Sequence, residues 1–178
     1  MKATITDRPV AGLRGAATGA VLLLAAGLAT ASAAAQELPS EKTLPLALAS
    51  EAAAEAIAAC ERQGYRVSAA VVDRAGLIKV LMKGDGAGPH TLDSSTRKAY
   101  TSASLRHPTS ELVALIQSNP AAAGLRDMNE NILILGGGLP IKAGDEVVGG
   151  IGVGGAPGGD KDEACARAGI DKIRDRLR

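Results

Sequence analysis

Hydrophobic positions along this chain change their period in a definite order. From Pro45 to Arg62, the residues Leu46, Ala49, Ala53, Ala56, Ile57 and Cys60 recur at three- and four-residue spacing, with Glu51, Glu55 and Glu61 off that stripe, which predicts an amphipathic helix. Gly64 supplies its stop. Val67 to Asp73 and Leu77 to Met82 are β-rich apolar runs joined through Ala75-Gly76 and predict a hairpin. A glycine-rich loop follows, from Gly84 to His90. Thr91 to Leu105 predicts a helix with Thr91 as N-cap, closed before Pro108 because the residue ahead of a proline is pushed out of the α region.

Thr109 to Gln117 predicts a further short helix through Leu112, Val113 and Ile116, and Pro120 to Asn131 reads as irregular. Ile132 to Leu135, Leu139 to Lys142 and Glu146 to Val153 predict three more strands, and Asp160 to Leu177 a closing helix. Helix, hairpin, helices, meander and helix in that order predict an α/β (α+β) domain in which helices flank an antiparallel sheet.

Ahead of this pattern the chain has a different character. Lys2, Arg8 and Arg14 give a positive start, Gly15 to Ala29 form an uncharged run around Val21 to Leu24, and Ala31-Ser32-Ala33-Ala34-Ala35 end it in small residues. That order predicts a cleavable secretory signal over residues 1–35. The run is short of the roughly 18 to 20 strongly apolar residues that a spanning helix needs, so no membrane insertion is expected after cleavage, and the mature domain is expected in the periplasm or secreted. Residues 36–44, with Pro39, read as a flexible lead-in to a domain over 45–178.

Cleavage would remove three Lys or Arg and one Asp, taking the net charge from +1 to +1 − 2 = −1. A near-neutral domain without a basic run gives no reason to expect nucleic acid as a partner. The mature part has no Phe or Trp, and its aromatics are Tyr65 and Tyr100, so its core is built from Ala, Val, Ile and Leu. Cys60 and Cys165 are both on expected helices; an oxidising compartment allows them to pair, and two buried small apolar side chains fit equally well.

No constellation of residues names a reaction. Gly150-Ile151-Gly152-Val153-Gly154-Gly155 fits G-x-G-x-x-G between a strand and a helix, yet no second parallel strand with an acidic tip follows, so the glycines read as close strand packing and a turn. With two histidines and no C-x-x-C or H-x-x-x-H, no metal cluster of known spacing is present, and there is no G-x-S-x-G elbow. Asp127 and Glu130 are a weak cation pair, and His107 beside Pro108 reads as a capping or solvated residue.

His90 follows the glycine-rich loop and precedes a helix N-terminus. There a neutral imidazole suits haem iron or an anion as well as it suits solvent. Thr91, Ser94, Ser95, Lys98, Thr101 and Ser102 fall near one face of the next helix. Such a stripe fits a polar ligand and also an ordinary solvated face.

Taken together, Val67 to Gly76, Gly86-Ala87-Gly88-Pro89-His90-Thr91, Lys98-Ala99-Tyr100-Thr101, Gly136 to Ile141, Glu146 to Val153 and Asp162 to Ala166 resemble the GlcG/HbpS family of haem-binding-like proteins. The likeness runs from about Leu44 to Leu177. It implies one domain with a central antiparallel sheet of about five strands flanked by helices, in a profilin-like layout, and it implies homo-oligomers. Secreted members are associated with haem binding and with redox or iron sensing beside a membrane sensor protein.

On that basis His90 is the expected haem-iron ligand or distal contact, Thr91 and Thr101 polar contacts, and Arg97 or Lys98 the partner of a propionate. The alternative is a non-haem module, or a minor enzyme of the same fold, that binds an organic acid at the glycine-rich loop and Lys98.

Overall fold

The computed structural model describes residues 36–178, and the expected signal lies outside the described residues. Residues from Pro39 to the C-terminus form one compact unit. Helix α1 (Leu46–Glu61) leads into strands β1 (Ser68–Asp73) and β2 (Ile78–Lys83). Helices α2 (His90–Leu105) and α3 (Thr109–Ser118) follow, then a 3-10 turn at Pro120–Arg126. Strands β3 (Gly138–Ala143) and β4 (Glu146–Gly154) precede α4 (Gly159–Ile173), which ends in a second 3-10 turn at Arg174–Arg176. The sheet is antiparallel in the order β2-β1-β4-β3, so β2 and β3 are its edges.

Helices cover both faces of the sheet. On one face α1 and α4 pack through an alanine-rich seam, with Ala49, Ala52, Ala53, Ala56 and Ala59 buried over Val71, Ile141, Ile151 and Val153. Small side chains let the helices approach closely, and Cys60 and Cys165 meet there in a disulfide with Cα atoms 5.5 Å apart. The pairing that the sequence left open is therefore made. On the other face α2 lies along β4. Gly150, Gly152 and Gly154 alternate toward it, and a Cβ at those three positions would strike the Ala99 carbonyl, the Ser95 carbonyl and the Ser94 hydroxyl. The G-x-G-x-x-G string is thus a track on which a helix backbone rests.

Two expectations are corrected. Among the described residues the sheet has four strands rather than about five, because Ile132–Leu135 pairs with none of them. Its backbone is held by α2 side chains instead: the Leu133 N–H donates to Thr101 Oγ1 at 2.8 Å, and the Ile132 carbonyl accepts from Arg97 at 2.8 Å. Ile132 and Ile134 meanwhile fill a satellite core with Leu112 and Ile116 of α3. The second correction is the start of α2, which begins at His90 with Pro89 in the capping position. Thr91 sits in the first turn and donates to the Gly88 carbonyl at 2.6 Å.

Candidate functional site

The residues singled out on α2 separate into an inner and an outer set. Thr91, Lys98 and Thr101 are buried. The Thr91 hydroxyl meets Ser68 Oγ at 2.7 Å, and Thr101 donates to the Arg97 carbonyl at 2.7 Å while accepting from Leu133. Ser95 and Ser102 likewise donate to carbonyls one turn back, at 3.1 and 3.0 Å. Hydroxyls that bond within their own helix need no water. The stripe is therefore neither a solvated face nor an open ligand face, but the surface that α2 lays on the glycines of β4.

Lys98 is the charged member of that interface, with 2 % of its surface exposed. Its ammonium donates to Asp162 Oδ2 at 2.7 Å and to the Val153 carbonyl at 3.0 Å. Asp162, in the first turn of α4, is 3 % exposed and accepts the Ala156 N–H on Oδ1 at 2.9 Å. Burial pushes its carboxyl above the ordinary 3.8, against the pull of the Lys98 charge. Gly137 makes room for the pair: a Cβ there would come within 3.0 Å of Lys98 Nζ. With its ammonium held this way, Lys98 does not present its charge to a ligand; it clamps α2, the end of β4 and α4 together. Asp162 was not picked out from the sequence as a site residue, although an acid opening a helix after a glycine-rich turn is a local signal.

The outer set is His90 and Arg97. His90 is exposed at the start of α2, and its ring covers Gly88, where a Cβ would lie 2.7 Å from Cε1. Arg97 is half-buried, donates from Nη2 to the Ile132 carbonyl and lies 3.6 Å from Asp93. Its Nε is buried without a hydrogen-bond partner. Seven residues apart, His90 and Arg97 share one face of α2 about 10 Å from each other. Beside Arg97 a hollow of about 330 Å³ is walled by Leu77 and Ile78 at the hairpin tip and by Thr96 and Tyr100.

Among the described residues no three His, Cys, Asp or Glu side chains gather as a metal site, so Asp127 and Glu130 belong to no such cluster. No described helix is long and apolar enough to cross a membrane.

Known proteins share this fold. The model of the family described as haem degrading protein HbpS-like matches residues 44–171. HbpS of Streptomyces reticuli, solved as a double mutant, is 46% identical with a TM-score of 0.71, over 80% of this chain and 97% of that one. The ORFY protein of Klebsiella pneumoniae is 29% identical with a TM-score of 0.74, over 79% and 97% of the two chains. An uncharacterized 15.0 kDa protein from the dhaT-dhaS intergenic region of Citrobacter freundii is 32% identical over 130 residues, 72% of this chain and 91% of that protein.

Proposed function

Because the chain belongs to the GlcG/HbpS family, we propose that it is an exported haem-binding protein whose site lies on the outer face of α2. The observation that carries this reading is the pairing of an exposed imidazole at His90 with the part-exposed guanidinium of Arg97 two helical turns away on the same face. A part-exposed guanidinium can take a carboxylate in charge-assisted hydrogen bonds. A separation of about 10 Å suits an iron ligand and a propionate contact on one macrocycle. Leu77, Ile78 and Tyr100 provide apolar surface next to Arg97. Bound haem would supply the iron; the chain's own residues supply the axial nitrogen, the propionate partner and the wall.

One protomer offers only one side of such a site, and a second copy would supply the other. Among the described residues the outer edge of β2 is unpaired, and Leu77, Ile78 and Leu81 are exposed along it, which favours self-association. Export through a signal over residues 1–35 fits the Cys60–Cys165 disulfide, since such bonds persist in oxidising compartments. A role in redox or iron sensing with a membrane sensor protein belongs to the same reading, and capture of the sensor by the haem-loaded protein would test it.

The deciding experiment is a haemin titration followed in the Soret band. A saturable shift that His90→Ala abolishes and Arg97→Ala weakens supports the site. A shift unchanged in His90→Ala removes the ligand role from this residue.

A further inference from the structure

A groove of about 400 Å³ runs along the outer edge of β3, between the α2–α3 turn and α4. Its floor is apolar, formed by Leu139, Pro140 and Leu177. Four cations line it: Arg106 at the C-cap of α2, Lys142 on β3, and Arg167 and Arg174 along α4. Arg167 pairs with Glu163 and Arg174 with Asp171 at the exposed surface, where such pairs hold weakly. Arg106 and Lys142 make no ion pair among the described residues. The acid lining the groove, Glu111, faces His107 at 3.2 Å.

Two further observations sharpen this. Arg106 has φ 61° and is the only non-glycine among the described residues with a positive φ. Glycine is the usual residue for a left-handed helix end, so the chain keeps a long cation where a smaller residue would relax the backbone. The β3 edge is also closed to an added strand, because the Gly138 N–H already donates to Thr109 Oγ1 at 2.8 Å and Pro140 has no N–H to give. What remains available is side-chain charge above an apolar floor.

We propose that this groove binds an organic dianion, an apolar body carrying two carboxylates. The cations stand on two walls, Arg106 and Lys142 on one and Arg167 and Arg174 on the other, with Ile170 between the α4 pair. Guanidinium groups take carboxylates in bidentate fashion, and the aliphatic floor takes the body between them. The site does not depend on the haem reading. His90 opens α2 and Arg106 caps its far end, about 24 Å away along the helix axis.

The test is isothermal titration of the purified protein, expressed from the full chain, with two probes at low salt. Metal-free protoporphyrin IX carries two propionates on a tetrapyrrole, and suberate carries two carboxylates on an aliphatic chain. We expect at least one of them to bind with an affinity that falls as salt rises, and the probe whose binding depends on Arg106 identifies the source of the dianion. Arg106→Gly, which relaxes the backbone, should leave the melting temperature unchanged or higher while weakening binding about tenfold, one lost charge-assisted contact. Adding Lys142→Glu should weaken it further, and Lys42→Ala, which removes an exposed charge outside the groove, should leave it unchanged. Failure of both probes, full binding in Arg106→Gly/Lys142→Glu, or an equal loss of binding in Lys42→Ala would overturn the proposal. The haemin Soret band in His90→Ala reports separately on the α2 site.

Discussion

Replacing Lys98 by methionine isolates what the buried ion pair does. Methionine refills most of the stem volume, so the change is electrostatic rather than a cavity. It deprives the Val153 carbonyl of a donor at 3.0 Å and leaves Asp162, 3 % exposed, without its cation. Removing one partner of a buried pair costs about 3–5 kcal/mol, a large share of the roughly 5–15 kcal/mol that holds a domain together. The cost should depend on pH with a definite sign. Burial already raises the Asp162 carboxyl above 3.8, and Lys98 is the leading influence opposing that rise. Without Lys98 the folded-state value climbs further above the unfolded one. The penalty is then smallest on the acid side of about pH 4, where the carboxyl is protonated in both states, and it grows as pH rises through the folded-state value. Urea unfolding followed by far-UV circular dichroism at pH 7 and about pH 4, with the disulfide intact, measures it against the parent protein. Adding Asp162→Asn to Lys98→Met should recover part of the loss at pH 7 and remove its pH dependence. A penalty below about 1 kcal/mol at pH 7, the scale of an exposed pair, or one that does not change with pH, would refute the reasoning.

Other parts of the molecule give equally direct outcomes. The Cys60–Cys165 bond spans 105 residues of sequence; Cys60→Ala/Cys165→Ala should lose about 2–5 kcal/mol, read by calorimetry, and reductant should lower the melting temperature of the parent alone. Gly152→Ala would set a methyl on the Ser95 carbonyl and near the Ala99 N–H, so overpacking of about 1–3 kcal/mol or more is expected. Gly124→Ala, with nothing within 4 Å, should change stability by less than about 0.5 kcal/mol; chemical denaturation of the two variants compares them. Thr101→Val removes the acceptor of the Leu133 N–H and should cost about 1–3 kcal/mol, with faster amide exchange at Leu133, whereas Thr101→Ser should retain both.

The elements with one clear period were legible in the sequence. The Ala-rich stripe of α1, the hairpin and the Leu112, Val113, Ile116 face of α3 all lie where the pattern set them, within a few residues. Ile132–Leu135 misled because a short β-rich apolar run has the same signature whether its backbone is paired by a strand or by side chains, and its partners Arg97 and Thr101 are more than thirty positions away. The disulfide could not be read either, since it depends on the α1–α4 contact. The serines and threonines of α2 resembled a wet face because hydroxyls are polar, and nothing in that helix alone says that they bond to their own carbonyls. The missing signal lay on another element. Gly150, Gly152 and Gly154 alternate along β4, and a strand that gives up its side chains on one face needs a partner that comes close enough to replace them.

That same closeness decides where a ligand can go. A helix laid on glycines leaves no room between α2 and β4, and Lys98, the one cation in that interface, is held by Asp162 and Val153. The aromatic residues of the chain are two tyrosines, and Tyr100 is half-buried between the satellite core and the hairpin tip. A binding site in such a molecule has to be assembled on its outside, from groups that the packing leaves over. Two sets qualify at opposite ends of α2. His90 and Arg97 offer a ligand atom and a part-exposed guanidinium on an open face, which needs a second wall and so ties the proposed haem binding to self-association. The β3 groove has its own apolar floor and its own cations, and it needs no second copy. If the α2 site forms across a subunit contact, dilution to monomer should weaken haemin binding and leave occupation of the groove unchanged.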